Sequence, residues 1–234
     1  MGIAYNTSIA MNGLISFIDA ANPRSYPGSG NTSYDISGFG RTFSLTSVTF
    51  DSANYGSFTF NGSTSFASVS YPNEIDTGSP ITLSMWAKWL TTGTTTATIQ
   101  TLVDNNYQTS PGSTGFFIQD RPDLGGVLEW GAQPGFGITR CTSSIVVGDN
   151  TWHQVTATND GSTSILYIDG VQSGLARTAA GVGTKQTNIS LGKWDFTETR
   201  FLNGKIADFK IYNRGLSAAE VLQNFHATKK RYGL

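Results

Sequence analysis

The stretch "WHQVTATNDGSTSILYIDG", residues 152–170, decides the fold class. Val155 and Ala157 alternate with polar neighbours on the way in, and Leu166 and Ile168 do the same on the way out. A period of two is the signature of strands with one face buried. Between them Asn159-Asp160-Gly161 offers the residues that accept positive φ in a tight turn, and Asp169-Gly170 repeats the signal at the far end. A hairpin with one apolar face must stack that face on another layer, so the segment predicts a sheet that packs on a second sheet.

The same period runs outward from this hairpin. In "ITLSMWAKWL", residues 81–90, Leu83, Met85 and Ala87 alternate with Ser84, Trp86 and Lys88; "SFTFNGSTSFASVSY", residues 57–71, and "LISFID", Leu14 to Asp19, read as further strands. From residue 20 to 40, Pro23, Pro27 and several glycines predict a long irregular loop of the kind that serves a function or covers a sheet edge. The Thr-rich run from Leu90 to Ala97 is too short for a linker, and no break in composition divides the chain. The expectation is one all-β sandwich domain over residues 1–234, with an N-terminal strand and long loop in 1–50 and a helix over 216–232. With 27 glycines and 13% charged residues, about half the usual charged share, the composition fits many strands and turns.

The helix carries its own signals. Ser217 and Glu220 form the S-x-x-E capping box, and Leu216 with Val221 can staple the first turn. Val221, Leu222 and Phe225 make one apolar face, Gly233 is a stop, and Lys229, Lys230 and Arg231 complement the negative end of the helix dipole.

Net charge of −1 gives no field to draw in nucleic acid or an anionic membrane, and neither partner is expected. Cys141 is the one cysteine, which excludes an internal disulfide and reads as a small packed residue. The opening "MGIAYNTSIAMNG" lacks the charged start and apolar core of a secretory signal. On that reading the sequons at Asn6, Asn31, Asn61 and Asn188 are polar turns and strand edges.

Taken in order, "FTFNGSTSFASV", "ITLSMWAKW", "WHQVTATNDGSTSILYIDG", "ISLGKW" and "FLNGKIADFKIYNRGLSAAEV" resemble the concanavalin A-like lectin/glucanase superfamily, in its laminin-G-like jelly-roll form. They span Phe58 to Val221. The stretches "GLISFIDAANPRSYPGSGNTSYDISGFG" and "IYNRGLSAAEVLQNFHATKKRYGL" are similar to laminin-G-like proteins of tailed bacteriophages. The resemblance implies a jelly-roll sandwich and a non-enzymatic virion protein, made in the host cytoplasm, that docks on phage capsid or tail proteins as a homo-oligomer. A carbohydrate-binding adhesin is the alternative, and a glucanase-like hydrolase a remote one.

The residues bear on that choice. Related glucanases carry Glu-x-Asp-x-x-Glu on a strand, where two carboxyl groups flank the glycosidic bond. Here Glu74-Ile75-Asp76 lacks the second Glu, and the chain has only Glu74, Glu129, Glu198 and Glu220, so no catalytic residues are expected. His153 reads as a packed or edge-satisfied imidazole, and no nucleophile elbow is present. Laminin-G-like domains often bind calcium at a rim; the donors for it are Asp104, Asn105 and Asn106 in "LVDNNY" and Asp120 and Asp123 in "QDRPDLGG". Where the family often has an acidic residue after Gly-x-Ile, Ala207 stands, with Asp208 next, able to pair with Lys205 or Lys210. For sugar binding the aromatic platforms are Trp89, Trp130, Trp194 and Tyr107, unless they pack in the core.

Overall fold

A computed structural model describes residues 8–105, 114–134, 140–182, 187–195 and 200–234. Among these the strands are β1 (Leu14–Asp19), β2 (Thr32–Tyr34), β3 (Thr42–Thr46), β4 (Thr49–Asp51), β5 (Ser57–Asn61) and β6 (Phe66–Ser70). They continue as β7 (Ile81–Trp89), β8 (Gln100–Asp104), β9 (Thr114–Arg121), β10 (Val127–Pro134), β11 (Arg140–Val146) and β12 (His153–Asn159). The last are β13 (Thr163–Ile168), β14 (Val171–Gln172), β15 (Arg177–Thr178), β16 (Asn188–Leu191) and β17 (Asn203–Tyr212), before the helix α1 (Ala218–Thr228).

Two antiparallel sheets form a sandwich. The first runs β14-β13-β12-β7-β17-β5-β4, with β1 paired to β17 and β15 to β13; the second runs β11-β10-β9-β8-β16-β6-β3-β2. The hairpin at 152–170 forms as expected: Val155 faces Ile168 and Ala157 faces Leu166, all four inside the core. Asp169 at φ 52° and Gly170 at φ 80° close the next turn, the left-handed pair that fits the twist of a two-residue hairpin. Leu83, Met85 and Ala87 join the same core, with Ile206, Phe209 and Ile211 of β17.

The ten-residue β17 is the spine of its sheet. One edge pairs along β7, while the other is shared, Asn203 to Ile206 with β5 and Asp208 to Tyr212 with β1. A bulge at Ala207 turns the strand between the two partners. Asp208 pairs with Lys210 at 2.8 Å, both buried, rather than with Lys205, which pairs with Asp51. Within the loop expected from 20 to 40, Thr32–Tyr34 adds a short edge strand to β3; three polar residues give no period to read. No helix among the described residues is long and apolar enough to cross a membrane.

Ser217 caps α1 in a complete capping box with Glu220. Val221 is buried and Phe225 packs against Trp86, whereas Leu222 stays 38% exposed. The helix lies on the outer face of the first sheet, where Tyr232 stacks on Trp86 at 4.0 Å and Trp86 Nε1 donates to Thr228 Oγ1 at 2.8 Å. Arg231 does more than match a dipole, since it pairs with Asp19 at 2.7 Å and Nε donates to the Asn54 carbonyl at 2.8 Å.

Candidate functional site

The helix covers part of the outer face of the first sheet; on the outer face of the second, most β8, β9, β10 and β16 positions are buried and the β3–β6 end is open. One register row crosses seven of its strands: Arg140 opposite Gly131, then Phe117, Asp104, Ser190, Ser68 and Ser44. The residues between these point into the sandwich, among them Phe116, Ile118, Ala67 and Leu45. Apart from Phe117 the row is built from small or polar side chains. Gly131 is needed because a Cβ there would lie 2.6 Å from the Phe117 ring.

At the β9–β11 end the row is cationic. Arg121 and Arg140 both hold the buried carboxylate of Glu129, and Arg121 also pairs with Asp123 at 2.7 Å. Arg140 lies 5.6 Å over Phe117, and Arg200 lies 3.9 Å over Trp194. Burial and the neighbouring Arg121 push the Arg200 pKa down. Next to this group, Asp195 accepts from Ser190 Oγ at 2.7 Å, its N–H donates to Asp104 Oδ2 at 3.2 Å, and burial raises its carboxyl pKa.

At the β3–β6 end the face opens. Thr42 and Ser70, two residues beyond Ser44 and Ser68, border a pocket of about 390 Å³ whose walls include Phe39, Arg41, Tyr71 and Glu74. Phe39 is 50% exposed, and the Arg41 guanidinium lies 5.0 Å over its ring while pairing with Glu74. Arg41 also donates to the Ile15 carbonyl, which fixes the planar group against the ring. An exposed ring, a positioned guanidinium, a carboxylate and two hydroxyls match what a sugar offers, an apolar face with hydroxyls around it.

The sequence-read site residues fall elsewhere. Trp130 is wholly buried and Trp89 is 1% exposed, both in the core between the sheets, so neither ring offers a face to a sugar. Alternation already put Trp89 in register with Ala87 and Met85; the reading of these indoles as platforms is corrected by burial. Trp194 is 6% exposed beneath Arg200, and Tyr107 lies outside the described residues, as do Asn106 and Glu198. Phe39, missed by the sequence, sits in the Gly-rich loop between β2 and β3, and its one signal was an aromatic among turn residues.

The calcium donors are not brought together. Asp120 pairs across β8 with Gln100 and Asp104 with Phe117, at opposite ends of that ladder. Asn105 spends Oδ1 on the Phe116 N–H at 2.6 Å, and Asp123 is taken by Arg121. Among the described residues no group of three or more His, Cys, Asp or Glu stands close enough to hold a metal. Asp120 accepts from Thr91 Oγ1 at 2.8 Å, and burial pushes its carboxyl up to about 6.

Among the described residues His153 is the geometric candidate for acid–base chemistry. His153 Nδ1 lies 2.7 Å from Asp169, and Nε2 lies 2.9 Å from Thr151 Oγ1. Yet Thr151 gives its proton to Asp149 at 2.6 Å, so its oxygen accepts from Nε2–H. The hydrogen bond to Asp169 raises the His153 pKa, and the ring bridges the Asp169 and Asp149 carboxylates. Cys141 is buried against the Ser164 carbonyl at 3.1 Å, and burial pushes its thiol up to about 11, which keeps it from acting as a nucleophile.

Solved structures share this architecture at low sequence identity. The receptor-binding domain of botulinum neurotoxin D matches with a TM-score of 0.70 at 18% identity over 92% of this chain and 53% of its own. A serotype D ligand-binding domain in complex with N-acetylneuraminic acid gives 0.70 and 18%, over 92% and 51%. The binding domain of Paraclostridial Mosquitocidal Protein 1 gives 0.69 and 19%, over 91% and 52%. The chain thus spans about half the length of these proteins. No curated protein matches it in sequence. Residues 61–222 match the family described as the concanavalin A-like lectin/glucanases superfamily, the same segment that carries β6 through the start of α1. The two stacked antiparallel sheets and that match agree: the chain belongs to the concanavalin A-like lectin/glucanase superfamily.

Proposed function

We propose that the protein is a non-enzymatic glycan-recognition domain that binds a sugar on the outer face of its second sheet, anchored in the Phe39–Arg41–Glu74 pocket. The observation that carries this reading is the half-exposed Phe39 ring beside an open polar pocket of about 390 Å³. Solved neighbours being receptor-binding domains, one of them holding N-acetylneuraminic acid, support the same class. Glu74 and Glu129 argue against hydrolysis by either, because arginines engage both carboxylates.

A glycan array followed by calorimetry on the strongest hit tests it. Saturable binding is expected, and Phe39→Ala should weaken it about tenfold, the loss of roughly 1.4 kcal/mol of ring stacking. Phe39 is exposed, so the variant should keep the wild-type melting curve. Binding that survives Phe39→Ala and Glu74→Gln together, or no binding on the array, defeats the reading. Release of reducing sugar from a β-glucan, lost in Glu74→Gln, would point to the hydrolase alternative. The virion setting implied by the phage resemblance is compatible with glycan adhesion, and its test is whether the protein stays with purified particles.

A further inference from the structure

Cross-strand register on the first sheet sets Lys88 of β7 directly opposite Lys205 of β17, with Thr59 of β5 next in the row. Like charges facing each other across a ladder destabilise it, so the arrangement calls for a counter-charge. Asp51 supplies one to Lys205, and Lys205 holds the Asp51 carboxyl below its usual range. Lys88 also acts on Asp51 through space, but among the described residues no ion pair to Lys88 forms, so the single Asp51 carboxylate serves both ammonium groups. The nearby Asp149 is occupied by Thr151 and His153. Two ammonium groups and one carboxylate leave an excess positive charge at the wall of a cavity of about 270 Å³, which Asn150, Asn203 and the half-exposed Leu90 also line. Asn150 holds a positive φ of 64°, and its N–H donates to the Trp89 carbonyl at 2.7 Å, which keeps this residue at the rim.

We propose that this cleft binds an oxyanion, a sulfate or phosphate ester, with Lys88 and Lys205 as the charged contacts and the Asn150 and Asn203 amides as neutral donors. The ester supplies the missing counter-charge, and Leu90 receives the apolar body that carries it. The site lies on the opposite sheet from the Phe39 pocket and does not depend on it. A molecule engaging both would be held by two faces of the sandwich.

Three probes at constant ionic strength test the proposal: inorganic sulfate, a sulfated disaccharide, and vesicles containing phosphatidylglycerol beside neutral ones. Wild-type protein should bind sulfate saturably with a rise in melting temperature, and Lys88→Met should lose about tenfold in affinity, the worth of one charge-assisted contact. Lys88→Met should itself melt no lower than wild type, since it removes the repulsion. Lys193→Met, on the other sheet, and Phe39→Ala should bind sulfate as wild type does, which separates failure here from failure of the glycan reading. Binding of the disaccharide but not vesicles identifies a sugar ester as the source, and the reverse a lipid headgroup; either supports the site if Lys88→Met weakens it about tenfold. No saturable binding of any probe, or equal loss in Lys193→Met and Lys88→Met, overturns it.

Discussion

Arg231 ties the last residues of the chain to the first strand. Its guanidinium pairs with Asp19 at 2.7 Å and reaches the Asn54 carbonyl at 2.8 Å, beside the buried Asp208–Lys210 pair. Arg231→Met leaves Asp19 and Asp208 facing each other with one cation fewer, and should cost about 3 kcal/mol, read as a fall in the urea midpoint. If only the charge at a helix end mattered, the loss would stay below about 1 kcal/mol. The sequence offered just that weaker reading, because "KKR" after a helix is a local pattern, whereas the carboxylate that Arg231 meets is 212 residues away. The site behaves likewise. Phe39, Arg41 and Glu74 converge from two loops, and nothing in their spacing announces it. The tryptophans drew attention by type alone, and burial decides their role.

At the scale of elements, the outer face of β7 shows why a strand can carry Trp where its neighbours are Ser84 and Lys88. Alternation placed Trp86 on the face away from the core, and the structure puts it there, but α1 and the residues after it turn that face into a second interior with Phe225, Tyr232 and Trp152. The capping box and β17 were legible because each is local; where the helix lands was not, since that depends on Trp86 lying more than a hundred residues earlier. Trp86→Ala removes the ring stacked on Tyr232 at 4.0 Å and the donor to Thr228, and should cost about 3–5 kcal/mol. For a chain of this size that lowers the melting temperature by on the order of 10 °C. Ser217→Ala, which removes only the cap, should cost about 1 kcal/mol. A helix merely tethered to the sheet would unfold first in both variants, and calorimetry would then show two transitions.

For the whole molecule, the titrating groups fall into two sets with opposite signs. Arg214 holds Glu220 down to about 2, and Asp51, Asp123, Asp149 and Asp160 are also held below the usual carboxylate range. A depressed carboxyl gives stability that is present above its unfolded value near 4 and lost as pH falls. Burial raises Asp120 to about 6 and raises Asp195 and Asp208, while Asp169 raises His153. For these the folded state binds more protons than the unfolded chain, so stability falls as pH rises, from about 4 to 6 for Asp120 and above about 6.5 for His153. The curve should therefore peak near pH 4–5 and decline toward pH 8. Asp120→Asn keeps the acceptor for Thr91 without the buried charge, and should flatten the decline between pH 4 and 6 and stabilise the protein at pH 7 by up to about 3 kcal/mol. His153→Gln removes the imidazolium between Asp149 and Asp169, so it should destabilise the protein below about pH 6.5 and lose that effect as pH rises and the wild-type ring gives up its proton. Urea unfolding of the three proteins at intervals from pH 3 to 8 measures this, and an Asp120→Asn curve parallel to wild type between pH 4 and 6 would show that Asp120 ionises in the fold as it does in water.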